Sequence, residues 1–343
     1  MAYTTIKKPS DYFNTKVYTG TGSSLALTGV GFQPDWTWIK RRNGTAYHWL
    51  IDAVRGSTKA IYSNGTEAEQ TQSQGITSFD SDGFTLGTNS DVNGSSDTYA
   101  SWNWLGANGT ASNTDGSITS TVSANTTSGF SIVSYTGTGA NATVGHGLGA
   151  VPKMIIVKDR SAIKNWTVYH IKVGNDKDIL LDVTNAENTS TAWNNTTPTS
   201  SVFSIGTLGN VNTSSNNYIA YCFAEKKGFS KFGSYTGNDN ADGPFIYTGF
   251  KPAFTILKRT DSADNWLMQD NKRKNPFNVV DTQLFPDLNN AESSSSAILD
   301  YCSNGFKIRK TGGNINASGG SYIYMAFAEQ PLVGTNNIPA TAR

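Results

Sequence analysis

Charged side chains are scarce in this chain of 343 residues: 27 Lys and Arg stand against 26 Asp and Glu, 15% of the total, for a net charge of +1. This balance excludes the concentrated basic surface that nucleic-acid binding requires. No apolar run approaches the about 18 residues that a membrane span needs, and the first residues carry no hydrophobic signal segment. We therefore expect no nucleic-acid partner and no membrane insertion.

Histidine and cysteine are rarer still, with three His and two Cys. His48, His146 and His170 have no acidic or cysteine neighbour at the spacing of metal ligands, which favours surface or strand positions for them. Cys222 and Cys302 lie in strand-like runs far apart, which favours buried free thiols. Neither a nucleophile elbow nor a phosphate-binding loop is present. We predict no catalytic residues and no enzymatic activity.

Two oxygen-rich stretches make calcium the one cofactor to consider. Residues 238–243 (Asn-Asp-Asn-Ala-Asp-Gly) resemble the start of a calcium loop, but Gly249 stands where such a loop needs its glutamate. Residues 80–83 (Asp-Ser-Asp-Gly) form a second, weaker cluster. Because Asp and Asn are also typical of turns between strands, we predict no cofactor, with calcium as the alternative.

One short pattern occurs three times. A proline leads into four apolar or aromatic residues, and a lysine follows six positions after the proline (40 − 34, 158 − 152, 258 − 252). Proline suits the start of a strand, and the residues after it suit a packed, pleated surface. The framework residues of the pattern are Pro34 and Lys40, Pro152 and Lys158, and Pro252 and Lys258.

Other landmarks keep step with this pattern. Tyr-Thr-Gly begins at Tyr18, Tyr135 and Tyr235, with spacings of 117 and 100 residues (135 − 18, 235 − 135). A tryptophan follows each lysine after 9, 8 and 8 residues (49 − 40, 166 − 158, 266 − 258). A period of domain size, with short strands separated by turn residues, predicts an all-β chain. Its architecture would be tandem β-sandwich or jelly-roll-like domains from a threefold internal repeat.

The segments between the landmarks suggest boundaries. We predict an N-terminal arm over 1–16, disordered or docked on a neighbouring subunit, and a C-terminal tail over 335–343. The three predicted repeats span 17–107, 129–228 and 229–334, and a flexible linker covers 108–128, which has almost no apolar content. Short helices are predicted only around Thr66–Thr71 and Asp287–Glu292.

The repeated side chains allow two interpretations each. Trp49, Trp166, Trp266 and especially Trp193, which lies among Thr and Asn, belong either to the core or to an exposed platform for a glycan or a protein partner. Each framework lysine forms an ion pair, for which Asp52 and Asp270 are available, or lies at the surface.

Several stretches resemble one known family. Residues 8–22, 31–42, 52–56 (Asp-Ala-Val-Arg-Gly) and 78–87 are similar to tail-fibre-like virion structural proteins of marine tailed phages of the cyanophage and pelagiphage type. The resemblance implies a virion protein that is assembled in the cytoplasm of the host bacterium. It supplies no catalytic residues.

Three functions follow as hypotheses. The first is a tail-fibre or appendage component that contacts host surface glycan through the loops of its sandwiches. The alternative is a head decoration or head-fibre protein with a purely structural role, and a weaker one is a glycan depolymerase. The expected partners are other virion proteins and copies of the same chain, as a trimer by analogy with fibres.

Overall fold

The computed structural model describes residues 3–273, 277–333 and 339–341, without the side chains of 295–297. The predicted C-terminal tail (335–343) lies outside these residues except for 339–341. The strands form three groups, here named unit 1, unit 2 and unit 3, which follow a 3-10 helix at Pro9–Asp11.

Unit 1 comprises β1 (Phe13–Thr19), β2 (Leu25–Thr28), β3 (Trp36–Arg41), β4 (Trp49–Asp52), β5 (Lys59–Tyr62), β6 (Gln70–Thr71), β7 (Ile76–Asp80), β8 (Gly83–Leu86), α1 (Ser90–Asn93) and β9 (Thr98–Trp104). Unit 2 comprises β10 (Ala111–Asn113), β11 (Ser120–Asn125), β12 (Phe130–Thr136), β13 (Ala142–Gly145), β14 (Pro152–Asp159), β15 (Thr167–His170), β16 (Lys177–Leu180), β17 (Asn188–Thr189), β18 (Val202–Ile205), α2 (Gly209–Asn212) and β19 (Asn217–Ala224). Unit 3 comprises β20 (Ser230–Thr236), β21 (Phe245–Tyr247), β22 (Phe250–Arg259), β23 (Leu267–Asp270), β24 (Val280–Gln283), β25 (Ser293–Cys302), β26 (Gly305–Ile308), α3 (Gly313–Asn316) and β27 (Ser321–Pro331).

The same strand order occurs in the main sheet of each unit. The neighbours are β1-β9-β3-β4 in unit 1, β12-β19-β14-β15 in unit 2 and β20-β27-β22-β23 in unit 3. A smaller sheet accompanies each: β2-β8-β7, β13-β18 and β21-β26-β25-β24. The predicted all-β, multi-sandwich fold is therefore confirmed. The origin of the three units by triplication stays a prediction.

Each main sheet is buried on both faces. Side chains alternate along a strand, so successive residues of one strand enter two different cores. In β3, Trp36 and Trp38 join a central core, whereas Ile39 joins the outer core between the two sheets of unit 1. Units 2 and 3 have outer cores of their own. The central core takes Tyr221 from unit 2 and Phe254 from unit 3 as well. The three units thus keep an outer core each, as tandem sandwiches do, and share the central core as well.

Ring contacts show how closely the units meet. The ring centroids of Trp36 and Tyr221 lie 4.3 Å apart, and those of Phe223 and Phe327 lie 6.1 Å apart. Phe13 reaches unit 3, with 5.0 Å between its centroid and that of Phe327. Aromatic pairs at such distances add to the stabilisation that burial provides.

The predicted flexible linker is part of unit 2. Within 108–128, β10 and β11 extend the main sheet, and β11 pairs with β12 from Thr121 to Asn125. Of this segment, Ile118 and Val122 join the outer core of unit 2 and Ala124 packs against it. Other buried positions hold hydroxyl side chains, such as Ser120, which donates to the Gly145 carbonyl.

The predicted N-terminal arm is bound to its own chain. The Tyr3 hydroxyl donates to the carbonyl of Gly249 at 2.7 Å, and the Thr4 hydroxyl donates to that of Lys227 at 2.6 Å. Ile6 is 1% exposed in the central core. Residues 3–16 are therefore ordered on their own chain, and disorder does not describe them, because β1 already begins at Phe13 and pairs with β9 of unit 1.

The three framework prolines occupy strand starts or irregularities. Pro34 lies just before β3, Pro152 is the first residue of β14, and Pro252 stands at a shift of register in β22. All three are buried. Their missing N–H groups cost no ladder hydrogen bond at such positions.

Candidate functional site

The four tryptophans proposed as a contact platform are core residues. Trp49, Trp166, Trp193 and Trp266 are at most 1% exposed. Trp193 packs edge-on against Tyr169, with 5.6 Å between ring centroids, although its sequence neighbours are polar. None of the four offers a ring face to a glycan, so the core interpretation is correct and the platform interpretation is wrong.

Trp49 is also not the counterpart of the other two repeated tryptophans. Trp166 and Trp266 lie in the central core, whereas Trp49 lies in the outer core of unit 1. The residue eight positions after Lys40 is His48. The backbone N–H of His48 donates to the Asn64 side chain, as those of Trp166 and Trp266 do to Asp182 and Asp287. Trp49 is therefore one residue out of register with Trp166 and Trp266, and a shift of one residue moves a side chain to the other face of the sheet.

The framework lysines connect the units, and neither predicted role is correct. All three are fully buried and donate to backbone carbonyls of another unit. Lys158 Nζ lies 2.8 Å from the Thr66 carbonyl, Lys258 Nζ 2.8 Å from that of Thr184, and Lys40 Nζ 3.1 Å from that of Asn289. The pairs join unit 2 to unit 1, unit 3 to unit 2 and unit 1 to unit 3. The three contacts therefore close a cycle around the molecule. We call the contact between units 1 and 2 the first seam, that between units 2 and 3 the second seam, and that between units 3 and 1 the third seam.

Backbone hydrogen bonds repeat at each seam. The N–H groups of Lys164, Asp264 and Ala46 donate to the same three carbonyls as the lysines do. A glutamate follows five residues after each of Asn64, Asp182 and Asp287. The N–H groups of Glu69, Glu187 and Glu292 donate to the carbonyls of Arg160, Thr260 and Arg42 in the adjoining unit. The segments around 66–71 and 287–292, for which we predicted helices, are these seam segments, and no helix lies there.

Burial lowers the pKa of Lys40, Lys158 and Lys258 to about 8. Desolvation disfavours the charged ammonium group. Carbonyl dipoles from two chain segments offset part of that cost by accepting its hydrogen bonds. A lysine with a lowered pKa is a common catalytic group, but each of these is enclosed by its acceptors at a seam.

The aspartates proposed as lysine partners bind arginines. Asp52 accepts from Arg55 Nε at 2.5 Å, and Asp270 accepts from Arg273 Nε at 2.6 Å, with all four side chains fully buried. Each carboxylate also receives a donor from the neighbouring unit. The Tyr221 hydroxyl donates to Asp52 at 2.7 Å, and the Trp102 indole donates to Asp270 at 3.0 Å.

His170 takes the place of these aspartates at the second seam. It pairs with Met154 as Asp52 pairs with Trp36. Its Nε2 lies 3.2 Å from the Tyr324 carbonyl, and the Lys172 N–H donates to its Nδ1. Burial lowers the pKa of His170 to about 4. The ring is therefore neutral at pH 7, with the proton on Nε2.

Three buried asparagines were not singled out by the sequence analysis. Asn93, Asn212 and Asn316 end α1, α2 and α3 and are fully buried. Asn212 accepts from the Thr138 N–H and donates to the carbonyls of Ala140 and Gly206. Each of the three precedes by six residues the tyrosine of the last strand of its unit (99 − 93, 218 − 212, 322 − 316). That spacing is the signal that could have identified them.

The two oxygen-rich stretches are turns held by their own hydrogen bonds. Asn238 and Asn240 side chains accept from backbone N–H groups two residues on, and Asp242 pairs with Lys307 at 2.5 Å. Asp82 accepts from the N–H groups of Gly29 and Gly31. Within the described ranges no group of three or more His, Cys, Asp or Glu is placed to hold a metal ion. The described helices are also too short and polar to cross a membrane.

An open groove lies on unit 2 between β16, β17 and α2. Its volume is about 440 Å³, and its wall includes Asp178, Leu180, Asn188, Ser190, Asn195 and Leu208. It adjoins the turn after β17, in which Asn194 and Asn195 both have left-handed backbone angles, with φ of 49° and 47°. The smaller sheets of units 1 and 3 have a strand, β7 or β25, in this part of the chain, whereas that of unit 2 has only β13 and β18.

Exposed aromatic side chains occur on unit 3. Phe245 and Tyr247 of the edge strand β21 are 47% and 52% exposed. They alternate with the buried Ile246 and so share the outer face of that strand. Unlike the four buried tryptophans, these two rings are exposed to solvent.

These features define an all-β protein in which three sandwiches close around one aromatic core, with polar loops and the groove on unit 2 outside it. The chain belongs to the family described as Domain of unknown function (DUF7483), whose model matches residues 8–331. No curated protein matches the sequence. No solved structure matches it either.

Proposed function

We propose that the chain is a virion structural protein of a tailed phage, a tail-fibre or appendage component that contacts the host surface. The observation that carries the proposal is the closed cycle of seams. Lys40, Lys158 and Lys258 each join two units, so that three sandwiches form one body. Such a body suits a part that holds its shape outside the cell, and the resemblance of residues 8–22 and 31–42 supplies the phage context.

The surface supports a contact role more than a purely structural one. The outward loops are rich in Asn, Ser and Thr, and the groove on unit 2 and the exposed pair Phe245 and Tyr247 are available for binding. Exposed aromatic rings and amide side chains are typical of surfaces that bind sugars or proteins. The proposed partners are host surface glycan, other virion proteins and further copies of the chain, as a trimer.

The location in the particle tests the proposal. Antibodies against the purified chain, coupled to gold, are applied to intact particles of a phage that encodes it, and the particles are also digested for mass spectrometry. We expect label at the tail and peptides of the chain in the digest. Label over the head would favour the head decoration alternative, and the absence of the polypeptide from purified particles would refute a virion role.

A further inference from the structure

The groove on unit 2 has the composition of a site for a neutral, hydroxyl-rich ligand. At about 440 Å³ it holds a small ligand. Among the described residues that line it there is one carboxylate, Asp178, and no basic side chain. Asn188 and Asn195 offer both donors and acceptors, while Leu180 and Leu208 offer apolar surface. This mixture suits a sugar ring, which has hydroxyls at its edge and C–H groups on its faces.

The corresponding place in unit 1 is filled. The strand pairs match residue for residue: Lys177 and Thr189 face each other as Lys59 and Thr71 do. In this register Leu180 replaces Tyr62 and Ser190 replaces Gln72. Gln72 donates to the Tyr62 hydroxyl at 3.0 Å in unit 1, so two large polar side chains occupy the space. The two smaller side chains of unit 2 leave it open.

Asp178 is the residue that the fold alone does not explain. It occupies the strand position that Ala60 occupies in unit 1. Ala60 is fully buried, so the strand does not require a carboxylate at this position. Asp178 is only 5% exposed, and burial raises the pKa of its carboxyl group although the neighbouring side chains of Ser190 and Asn188 act to lower it. A buried carboxylate costs free energy that an alanine does not, and a carboxylate beside an open groove has a further use as an acceptor of ligand hydroxyls.

We propose that this groove binds a neutral saccharide, with Asp178 and Asn188 bonding its hydroxyls and with Leu180 and Leu208 packing against its ring. The inference rests on the proposed role in host contact and assigns it a ligand class and a place on unit 2. It locates the contact away from the four tryptophans that the sequence suggested.

Saturation-transfer NMR on the full chain tests the site. The probes are D-glucose, D-galactose, D-mannose and N-acetyl-D-glucosamine with their disaccharides, and D-glucuronate and D-galacturonate serve as anionic counterparts. Asp178→Ala copies the residue of unit 1 and removes the acceptor, while Leu180→Tyr with Ser190→Gln copies the pair that fills unit 1. Ser112→Gln, at an exposed position of β10, is the matched control.

We expect at least one neutral probe to bind, with about tenfold or greater weakening by Asp178→Ala, loss of binding in the filled variant and no change in Ser112→Gln. Binding of none of the probes, preference for the uronates, or unchanged affinity in both groove variants would overturn the inference. Each variant's circular dichroism spectrum is compared with that of the parent chain to establish that it folds. Because particle labelling is independent of sugar binding, a failure here is distinguishable from a failure of the proposed virion role.

Discussion

The first and second seams have the same backbone contacts but different buried polar groups. At the first seam Asp52 lies between Arg55 of its own unit and the Tyr221 hydroxyl of unit 2. At the second seam the positions equivalent to Asp52, Arg55 and Tyr221 hold, in that order, His170, Val173 and Met325, as the strand pairings show. An ion pair with a hydroxyl donor has been replaced by a neutral imidazole, an aliphatic side chain and a thioether.

The difference indicates that these positions depend on one another. A carboxylate in the core requires a cation and donors for its oxygens, and the first seam supplies both. Met325 provides no donor, so His170 bonds the backbone carbonyl of Tyr324 and needs no cation. The third seam follows the first, with Asp270, Arg273 and the Trp102 indole. Each set is internally satisfied, and we expect a mixed set to be unstable.

The largest expected effect comes from mixing the two sets. Arg55→Val introduces the residue of the second seam beside Asp52, which then keeps a buried charge without its cation. We expect a loss of about 3–5 kcal/mol in the free energy of unfolding, because removing one partner of a buried pair leaves the other uncompensated. Guanidinium denaturation followed by tryptophan fluorescence measures it.

The complete exchange provides the control. Asp52→His, Arg55→Val and Tyr221→Met together copy the second seam into the first, and we expect this triple variant to be more stable than Arg55→Val alone. Lys8→Met, which breaks an exposed ion pair with Asp11, should change stability by less than about 1 kcal/mol. A triple variant that loses the sum of the separate effects would show that the positions are independent.

A smaller effect concerns the lysines that all three seams share. Their pKa falls from 10.5 in the unfolded chain to about 8 in the folded one. Between these values the unfolded chain binds more protons, so the free energy of unfolding rises with pH. From pH 8 to pH 9 we expect a gain of about 1 kcal/mol per lysine. Denaturation at both pH values measures it.

Lys158→Met separates this gain from other titrations. The variant should gain less than the parent chain over the same pH interval, because one of the three groups is missing. Burial also raises the pKa of the Cys222 thiol above its ordinary value of 9.0, so ionisation of this thiol in the unfolded chain offsets part of the gain near pH 9. That offset is the same in both chains. Equal gains in both chains would assign the pH dependence to other groups.

The last comparison concerns two equivalent glutamates. Glu69 accepts from Arg160 at 2.9 Å and from Arg55 at 3.2 Å, whereas Glu187 accepts from Lys177, which is about one-third exposed. We expect Glu69→Gln to cost about 2 kcal/mol and Glu187→Gln about 0.5 kcal/mol. Both are measured by denaturation at pH 7. Equal costs would mean that the ionic contacts of the first seam add nothing beyond the backbone bonds of the second.

Much of the strand pattern could be predicted from the sequence, because alternation and proline-led runs reflect local geometry. The positions of Lys40, Lys158 and Lys258 were recognised, but their acceptors were not. Those acceptors are backbone carbonyls of another unit, and a carbonyl leaves no mark in the choice of side chain. Asp52 and Asp270 lie near the lysines in sequence. Because a carboxylate is visible in the sequence and a backbone carbonyl acceptor is not, the sequence suggested an ion pair.

One other miss had a visible signal. The spacing of 9 after Lys40, against 8 after Lys158 and Lys258, already indicated that Trp49 lies one residue out of register and that His48 is the counterpart. The candidate site, in contrast, could not be predicted. Leu180 and Ser190 line the groove where unit 1 has Tyr62 and Gln72, and this difference is visible only once β16 and β17 are known to match β5 and β6.

The central core also gives the molecule an optical property. Trp36 stacks on Tyr221 of another unit, and Phe13 and Trp104 lie against Phe327 of a third. Chromophores this close exchange excitation and couple their electronic transitions. The near-ultraviolet dichroism and the indole emission of the chain therefore report on whether the three sandwiches are assembled, without any attached dye.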